Sequence, residues 1–156
     1  MARIEHFNDP NAPKANSIVV AVTVFVQDEQ ERVLLIQRTD NGLWALPGGA
    51  QDFGEYIAET AVRETREETG VEVKVTGVIG IYTNPNHLVE YSDGEVRQQF
   101  SICFRGQYVG GEPTTSDESS AARWVAQDEL DKLSTHPSMR LRIDHGIGER
   151  SKPYIG

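Results

Sequence analysis

The sequence predicts an α+β fold or a three-layer sandwich, and its 156 residues suit one domain with a sizeable core. Three observations lead to this fold class. Apolar and polar residues alternate from Val96 to Arg105, which indicates a strand with one apolar face. Apolar residues recur at helical spacing from Tyr56 to Thr69. Strand and helix patterns are mixed without the regular alternation of a parallel α/β protein.

The first half of the chain combines an arm, a hairpin, a loop and a helix. The predicted elements are an extended N-terminal arm over 1–16, strands over Ile18 to Val26 and Arg32 to Arg38, a loop over Gly42 to Gly54 and a helix over Tyr56 to Thr69. Two prolines and many polar residues argue for the arm. β-branched residues argue for the strands. Gly70 accommodates left-handed backbone and should end the helix. We expect residues 17–156 to form the single domain.

The second half contains more strands and two further helices. The predicted elements are a strand over Val71 to Tyr82, a loop over Thr83 to Glu95, the alternating strand from Val96, a loop over Gly110 to Ser120, a strand over Ala122 to Val125, a short helix in AQDELDKL and a helix over Pro137 to Gly148. Met139, Ile143 and Ile147 recur every four residues in the last helix. Alternation places Cys103 on the outward side of its strand, where packing is a more natural role than nucleophilic attack.

Composition narrows the functional classes. Fifteen Lys and Arg against 24 Asp and Glu give a net charge of -9, which disfavours binding to nucleic acid or to an anionic membrane. The single cysteine excludes an intramolecular disulfide and suits a reducing compartment. No signal-peptide pattern and no membrane-length apolar run are found. We expect a cytoplasmic protein that acts on a small molecule.

Five glutamates are crowded between Glu55 and Glu68. At about 100° per residue, Glu64, Glu67 and Glu68 share one edge beside the apolar face of the helix. Like charges at this spacing destabilise a helix by several tenths of a kcal/mol. A solvated helix face is the simplest explanation of an acidic run, but it would spread its carboxylates. Three at the core boundary favour a bound hard divalent cation such as Mg²⁺ or Mn²⁺.

A longer spaced pattern surrounds this acidic edge. It consists of Gly49, five residues, Glu55, seven residues, and the stretch RETREETGV that begins at Arg63. The pattern resembles the Nudix box of the Nudix hydrolases, with all seven fixed residues present. Thr65 departs from it, since the family has an aliphatic residue there. The stretches WALPGG, ARWV and DEL are similar to flanking elements of the family, so the resemblance spans most of Ile18 to Leu133.

The resemblance implies a Nudix fold, an α/β/α sandwich with a mixed central sheet in which the box forms a loop-helix-loop. It implies a hydrolase that cleaves a phosphoanhydride in a nucleoside diphosphate linked to another group. The implied cofactor is Mg²⁺, for which Mn²⁺ can substitute, held by Glu64, Glu67, Glu68 and the carbonyl of Gly49. We expect Arg63 to pair with Glu59 and Glu67, each one helical turn away, and so to fix the geometry of the ligand cluster. Glu55 is expected to bind loop amides or the helix start.

The general base and the substrate are less defined. Glu64, Glu95 and Glu118 are the candidates for the base, and Glu95 is also a candidate for binding the substrate. Glu118 lies where relatives supply another acidic ligand. Tyr82 and His87, together with Tyr91 and Phe7, are the candidates for stacking on a nucleobase; ordinary packing is the alternative for each.

Pro85 lies near the spacing associated with ADP-ribose hydrolases of the family, which slightly favours ADP-ribose or nucleotide sugars as substrates. The alternatives are a nucleoside triphosphate pyrophosphatase and a non-catalytic nucleotide-sensing module. Intact Glu64, Glu67 and Glu68 argue against the sensor. Many relatives form homodimers, so a homodimer is possible.

Overall fold

The computed structural model describes residues 3–156, which form a curled sheet with helices on both faces. The elements are β1 (Arg3–Phe7), β2 (Ser17–Gln27), β3 (Val33–Arg38), β4 (Trp44–Ala45), β5 (Gly48–Ala50), α1 (Ile57–Thr69), β6 (Glu72–Tyr82), β7 (His87–Tyr91), β8 (Val96–Gly110), β9 (Ser119–Val125), a 3₁₀ helix (Gln127–Lys132), α2 (Pro137–Ile147) and β10 (Tyr154–Ile155). No helix in this part of the chain has the length and apolar character needed to cross a membrane.

The long strand β8 organises the sheet. It pairs in parallel with β2 along eleven residues and antiparallel with β6 and β7. The main strand order is β1-β7-β8-β2-β3-β4, while β5 pairs with β2 and β9 pairs with β3. The sheet is therefore mixed, as the sequence predicts.

Each face of the sheet is covered by a separate hydrophobic cluster. The cluster under α1 contains Ala61 with Val22 and Val24 of β2. The cluster under α2 contains Ile143 with Phe25 and Cys103. Two helical layers enclose the sheet, which confirms the predicted α/β/α sandwich.

Helix α1 begins and ends as its sequence predicts. The Glu59 carboxylate accepts a hydrogen bond from the Tyr56 backbone N–H at 2.8 Å, which is half of a capping box. Gly70 adopts φ 76°, in the left-handed region, and ends the helix. Thr65 is buried, and its hydroxyl donates to the Ala61 carbonyl at 2.8 Å. The threonine in the box is thus accommodated without an unpaired buried hydroxyl.

Some sequence predictions on the sheet are wrong. Gly42 to Gly54 is not a loop throughout, because it contains the short strands β4 and β5, which pair with β3 and β2. Thr83 to Glu95 is not a loop throughout, because His87–Tyr91 form β7 between β1 and β8. Pairing on both edges stabilises this short strand although its local sequence is rich in turn residues. Cys103 does not face outward, since α2 covers that face and leaves the thiol fully buried. Burial raises the pKa of Cys103 to about 11, in agreement with a packing role.

Candidate active site

The Glu64 carboxylate lies directly against the backbone of Gly49. Gly49 is in β5, whose pairing with Val22 of β2 fixes its position. A Cβ atom on Gly49 would lie 2.5 Å from the Glu64 carboxyl carbon. The absence of a side chain at position 49 therefore lets the carboxylate from α1 approach the β5 backbone.

Arg63 holds several carboxylates of the box together. Its Nε donates to Glu55 Oε2 at 2.6 Å. Its Nη1 donates to Glu64 Oε1 at 3.0 Å and to Glu67 Oε2 at 3.1 Å. The predicted pairing of Arg63 with Glu67 is confirmed, but its pairing with Glu59 is wrong because Glu59 caps the helix start.

Glu55 has the structural position that was expected of it. It accepts hydrogen bonds from the Asp52 backbone N–H at 2.9 Å and from the Thr60 hydroxyl at 3.0 Å. The hydrogen bond from Arg63 is the main reason why the pKa of Glu55 is lowered to about 2. Glu55 thus fixes both the loop before α1 and the orientation of Arg63.

Glu68 is the buried member of the acidic edge, with 7% of the residue exposed. Burial raises its pKa to about 8, helped by the charges of Glu64 and Glu118 and opposed by a hydrogen bond from the Gly48 amide. Burial and neighbouring Glu67 and Glu118 also raise the pKa of Glu64. A hard divalent cation would stabilise the ionised form of these carboxylates, which burial and mutual repulsion disfavour. The donor set therefore fits Mg²⁺.

A cavity of about 240 Å³ lies beside this acidic edge, and both Glu68 and Glu118 line it. Glu118 is exposed in the loop before β9, and no other residue of the described chain hydrogen-bonds to its side chain. Glu95 does not line the cavity. It accepts hydrogen bonds from Ser17 and Arg97, and Arg97 itself reaches the cavity. The structure therefore places Glu118, but not Glu95, beside the box.

Arginines line much of the cavity. Arg3 and Arg38 lie 3.2 Å and 2.8 Å from Asp40 oxygens, and Arg97 lies 3.0 Å from Glu95. Arg142 of α2 has no carboxylate within 4 Å among residues 3–156. No pattern in the sequence singles out Arg142 as a site residue, although its position three residues after Met139 places it on the apolar side of α2.

His87 lies in the cavity wall within a group formed with Glu5 and His136. His87 Nε2 lies 3.1 Å from Glu5 Oε1, and the two imidazole rings stack with centroids 4.6 Å apart. His136 Nδ1 accepts the Ser138 backbone N–H at 3.1 Å, so neutral His136 carries its proton on Nε2. Its pKa is lowered by burial. Metal ligation at His136 Nε2 would move the proton to Nδ1 and break the helix cap. The group therefore consists of a Glu5–His87 hydrogen bond with the His136 ring stacked on His87.

Tyr82 lies outside the cavity that holds Glu68. Its hydroxyl is 2.8 Å from His145 Nδ1, and its ring packs against Tyr154 with centroids 5.1 Å apart. Burial raises its pKa. Tyr82 instead lines a second cavity of about 300 Å³, which shares His87, Gln99, Ser138 and Arg142 with the first. Phe7 lines only the second cavity and Tyr91 only the first.

Comparisons with known proteins agree with this geometry. Residues 18–145 match the model of the NUDIX domain family. A putative 8-oxo-dGTP diphosphatase of Bacillus subtilis is 35% identical over 122 residues, which cover 78% of this chain and 74% of that protein. An ADP-ribose pyrophosphatase of Methanocaldococcus jannaschii is 36% identical over 110 residues, which cover 69% of this chain and 62% of that protein. The crystal structure of an ADP-ribose pyrophosphatase from Streptococcus suis superposes with a TM-score of 0.68 at 22% identity, covering 88% of this chain and 98% of that one.

Proposed function

The chain belongs to the Nudix hydrolase family, and from that premise we propose that it is a Mg²⁺-dependent hydrolase of nucleoside diphosphates linked to another moiety. The bond cleaved is the phosphoanhydride of the diphosphate. One observation carries the proposal. Glu68 and Glu118 line one cavity, and Glu64 lies close enough to interact electrostatically with both. Glu68 is buried there although no cationic side chain of residues 3–156 is bonded to it.

The acidic edge requires a cation before it can accept a pyrophosphate. Glu64, Glu67, Glu68 and the Gly49 carbonyl are the residues that would hold Mg²⁺. When bound, Mg²⁺ neutralises phosphate oxygens and acidifies a water molecule. Arg63 orients two of these carboxylates through its hydrogen bonds to Glu64 and Glu67.

Glu118 is our proposal for the general base, because among the carboxylates that line the cavity it is the solvent-exposed one without a hydrogen-bonded side-chain partner in residues 3–156. Glu68 also lacks such a partner, but it is buried and is assigned to the metal. The competing candidate Glu95 is held by Arg97 and Ser17, and their hydrogen bonds lower its pKa. We expect Glu118→Gln to lower kcat by about 10²-fold or more, which is the usual contribution of general-base catalysis. Glu95→Gln is the matched control and should stay within a few-fold of wild type. Equal effects of the two changes would contradict the assignment.

The moiety linked to the diphosphate is proposed to be a sugar. The position of Pro85 favours ADP-ribose or nucleotide sugars, and the M. jannaschii relative is named an ADP-ribose pyrophosphatase. A second candidate is a nucleoside triphosphate pyrophosphatase, because the B. subtilis relative is named a putative 8-oxo-dGTP diphosphatase. Both candidates cleave an anhydride at the same site.

A nucleotide panel tests both the reaction and its metal requirement. We expect diphosphate-linked nucleotides to be hydrolysed with Mg²⁺ or Mn²⁺ and turnover to vanish in excess chelator, because carboxylates alone repel a pyrophosphate. Product analysis should show two phosphate monoesters from each nucleotide sugar. Full turnover in chelator would refute the metal site. Release of pyrophosphate from triphosphates alone would select the second candidate.

A further inference from the structure

A buried arginine, Arg142, occupies the wall between the two cavities and is 4% exposed. Within residues 3–156 it has no ionic partner, and its Nε has no hydrogen-bond acceptor. Its guanidinium carbon lies 4.9 Å from the centre of the Tyr82 ring, and its Nη1 reaches only the Met139 sulfur, at 3.9 Å. Leaving such donors unsatisfied in a folded protein is costly. An acceptor on a bound ligand would satisfy these donors.

A second unsatisfied polar group lines the first cavity from a different element. The Ser101 hydroxyl of β8 is buried, with the residue 4% exposed, and it has no hydrogen-bond partner in the described part of the chain. Gln99, two residues earlier on the same strand, lines both cavities. A strand and a helix thus direct an unsatisfied hydroxyl and an unsatisfied guanidinium towards one space.

The surroundings favour a neutral, flat ligand group over a phosphate. The acidic edge already accounts for the diphosphate, and the Glu5 carboxylate is close enough to interact with Arg142 electrostatically. A second phosphate would be repelled by Glu5. The cavity walls also contain Trp44, Leu46 and Met139, which are suited to covering a ring.

We propose that Arg142 and Ser101 form a nucleobase site that selects an oxo-purine, such as guanine or hypoxanthine, over adenine. The inference rests on the proposed function, because it assigns the base of the nucleotide cleaved at the acidic edge. Arginine matches the paired O6 and N7 acceptors of an oxo-purine. Adenine has an amino group, which is a hydrogen-bond donor, in place of O6. The N–H donors of arginine cannot form a hydrogen bond with it. The Ser101 hydroxyl can accept a hydrogen bond from N1–H of an oxo-purine. Adenine has no proton on N1. Guanosine-linked sugars would accordingly be better substrates than ADP-ribose.

Binding of IMP and AMP in the presence of Mg²⁺ tests the site directly. The two mononucleotides differ in the base at positions 1 and 6, and neither contains an anhydride. We expect calorimetry to show IMP binding more tightly by roughly five- to 150-fold, the discrimination given by one bidentate arginine contact. Equal affinities, or tighter binding of AMP, would overturn the proposal without any variant.

Two variants assign the preference to its residues. Arg142→Met keeps the length and apolar contacts of the side chain, and it should reduce the IMP preference to within about twofold. Arg140→Met is the control on the same helix, because Arg140 pairs with Asp131 and Asp144 instead of lining the cavity. It should leave the preference unchanged. If Arg142→Met melts at a much lower temperature, Ser101→Ala provides the second arm and should also weaken IMP more than AMP.

The remaining outcomes are decisive as well. A preference that persists in both cavity variants overturns the assignment. Equal weakening of IMP, AMP and inorganic phosphate by Arg142→Met would make Arg142 a phosphate ligand and also overturn it. The failure of every anhydride to be hydrolysed would refute the proposed function, yet the IMP and AMP affinities would still show whether the base site exists.

Discussion

Glu67 is the solvent-exposed carboxylate of the acidic edge, with 57% of its side chain accessible. Its contact with Arg63, at 3.1 Å, joins residues one helical turn apart. Exposed pairs of this kind stabilise a protein by about 0.3–0.5 kcal/mol. Arg63 keeps its bonds to Glu55 and Glu64 when Glu67 changes, so the structural contribution of Glu67 is small.

Glu67→Gln should therefore separate catalysis from stability. We expect turnover with Mg²⁺ to fall by about two orders of magnitude or more, because a charged metal ligand is lost. In chelator the melting temperature should be unchanged or slightly higher, since one of three repelling charges is removed. Paired melts and turnover assays measure both effects. A variant that melts lower but turns over normally would show that Glu67 supports the helix and not the metal.

At the level of single residues, the sequence predicts the acidic edge well because helix geometry alone brings Glu64, Glu67 and Glu68 together. Which arginine pairs with which carboxylate is harder to predict from the sequence. The bond between Arg63 and Glu55 depends on how the preceding loop folds back onto α1. Arg142 cannot be recognised from the sequence, because an arginine beside Ile143 is typical of the boundary between core and solvent, and its lack of an ionic partner is evident only in the structure.

At the level of elements, β5 lies between β2 and α1, and its two glycines have different functions. Gly48 allows close contact with β2, and Gly49 allows close contact with α1. A Cβ on Gly48 would overlap the Val22 carbonyl oxygen of β2, whereas a Cβ on Gly49 would meet the Glu64 carboxylate. A backbone carbonyl within a paired strand cannot yield easily. The end of a glutamate side chain can move aside, and the site then loses its geometry.

We expect Gly49→Ala to reduce turnover by at least tenfold with little change in melting temperature. Gly48→Ala should lower the melting temperature clearly, since the strands must separate to admit the methyl group. Thermal melts and Mg²⁺-dependent assays of both variants make the comparison. A Gly49→Ala protein with wild-type activity would show that close approach of Glu64 to β5 is not required.

Strand β7 shows why the sheet was only partly predictable. Its sequence contains no long apolar alternation, and turn residues lie on both sides of it. Long-range pairing with β1 and β8 stabilises it, and such pairing leaves no local trace. Strand β2, in contrast, is rich in β-branched residues because both faces of the central sheet are covered. Strand β8 is recognisable from its alternation of apolar and polar residues.

At the scale of the whole molecule, Glu5 connects three distant parts of the chain. It lies on β1, accepts a hydrogen bond from His87 of β7, and faces His136 at the start of α2. Burial alone would raise its pKa, but the His87 bond and the nearby charges of His136 and Arg3 outweigh burial and lower the pKa to about 2. Glu5 lies within residues 1–16, which the sequence predicts as an extended arm. Its ionisation therefore tests whether this stretch contributes to the stability of the domain.

Acid should weaken the fold through Glu5. Its pKa is lower in the folded state than its ordinary value of 4.5, so the unfolded chain binds the proton more readily. The stabilisation is present above pH 4.5 and is lost as the pH falls towards 2. We expect the unfolding free energy of wild type to fall more steeply over this range than that of Glu5→Gln, by at most about 1.4 kcal/mol per pH unit. Urea unfolding in chelator at several pH values measures the two slopes, with exposed Glu129→Gln as the control. If the unfolding free energies of wild type and Glu5→Gln fall in parallel with pH, ionisation of Glu5 on β1 does not contribute to stability.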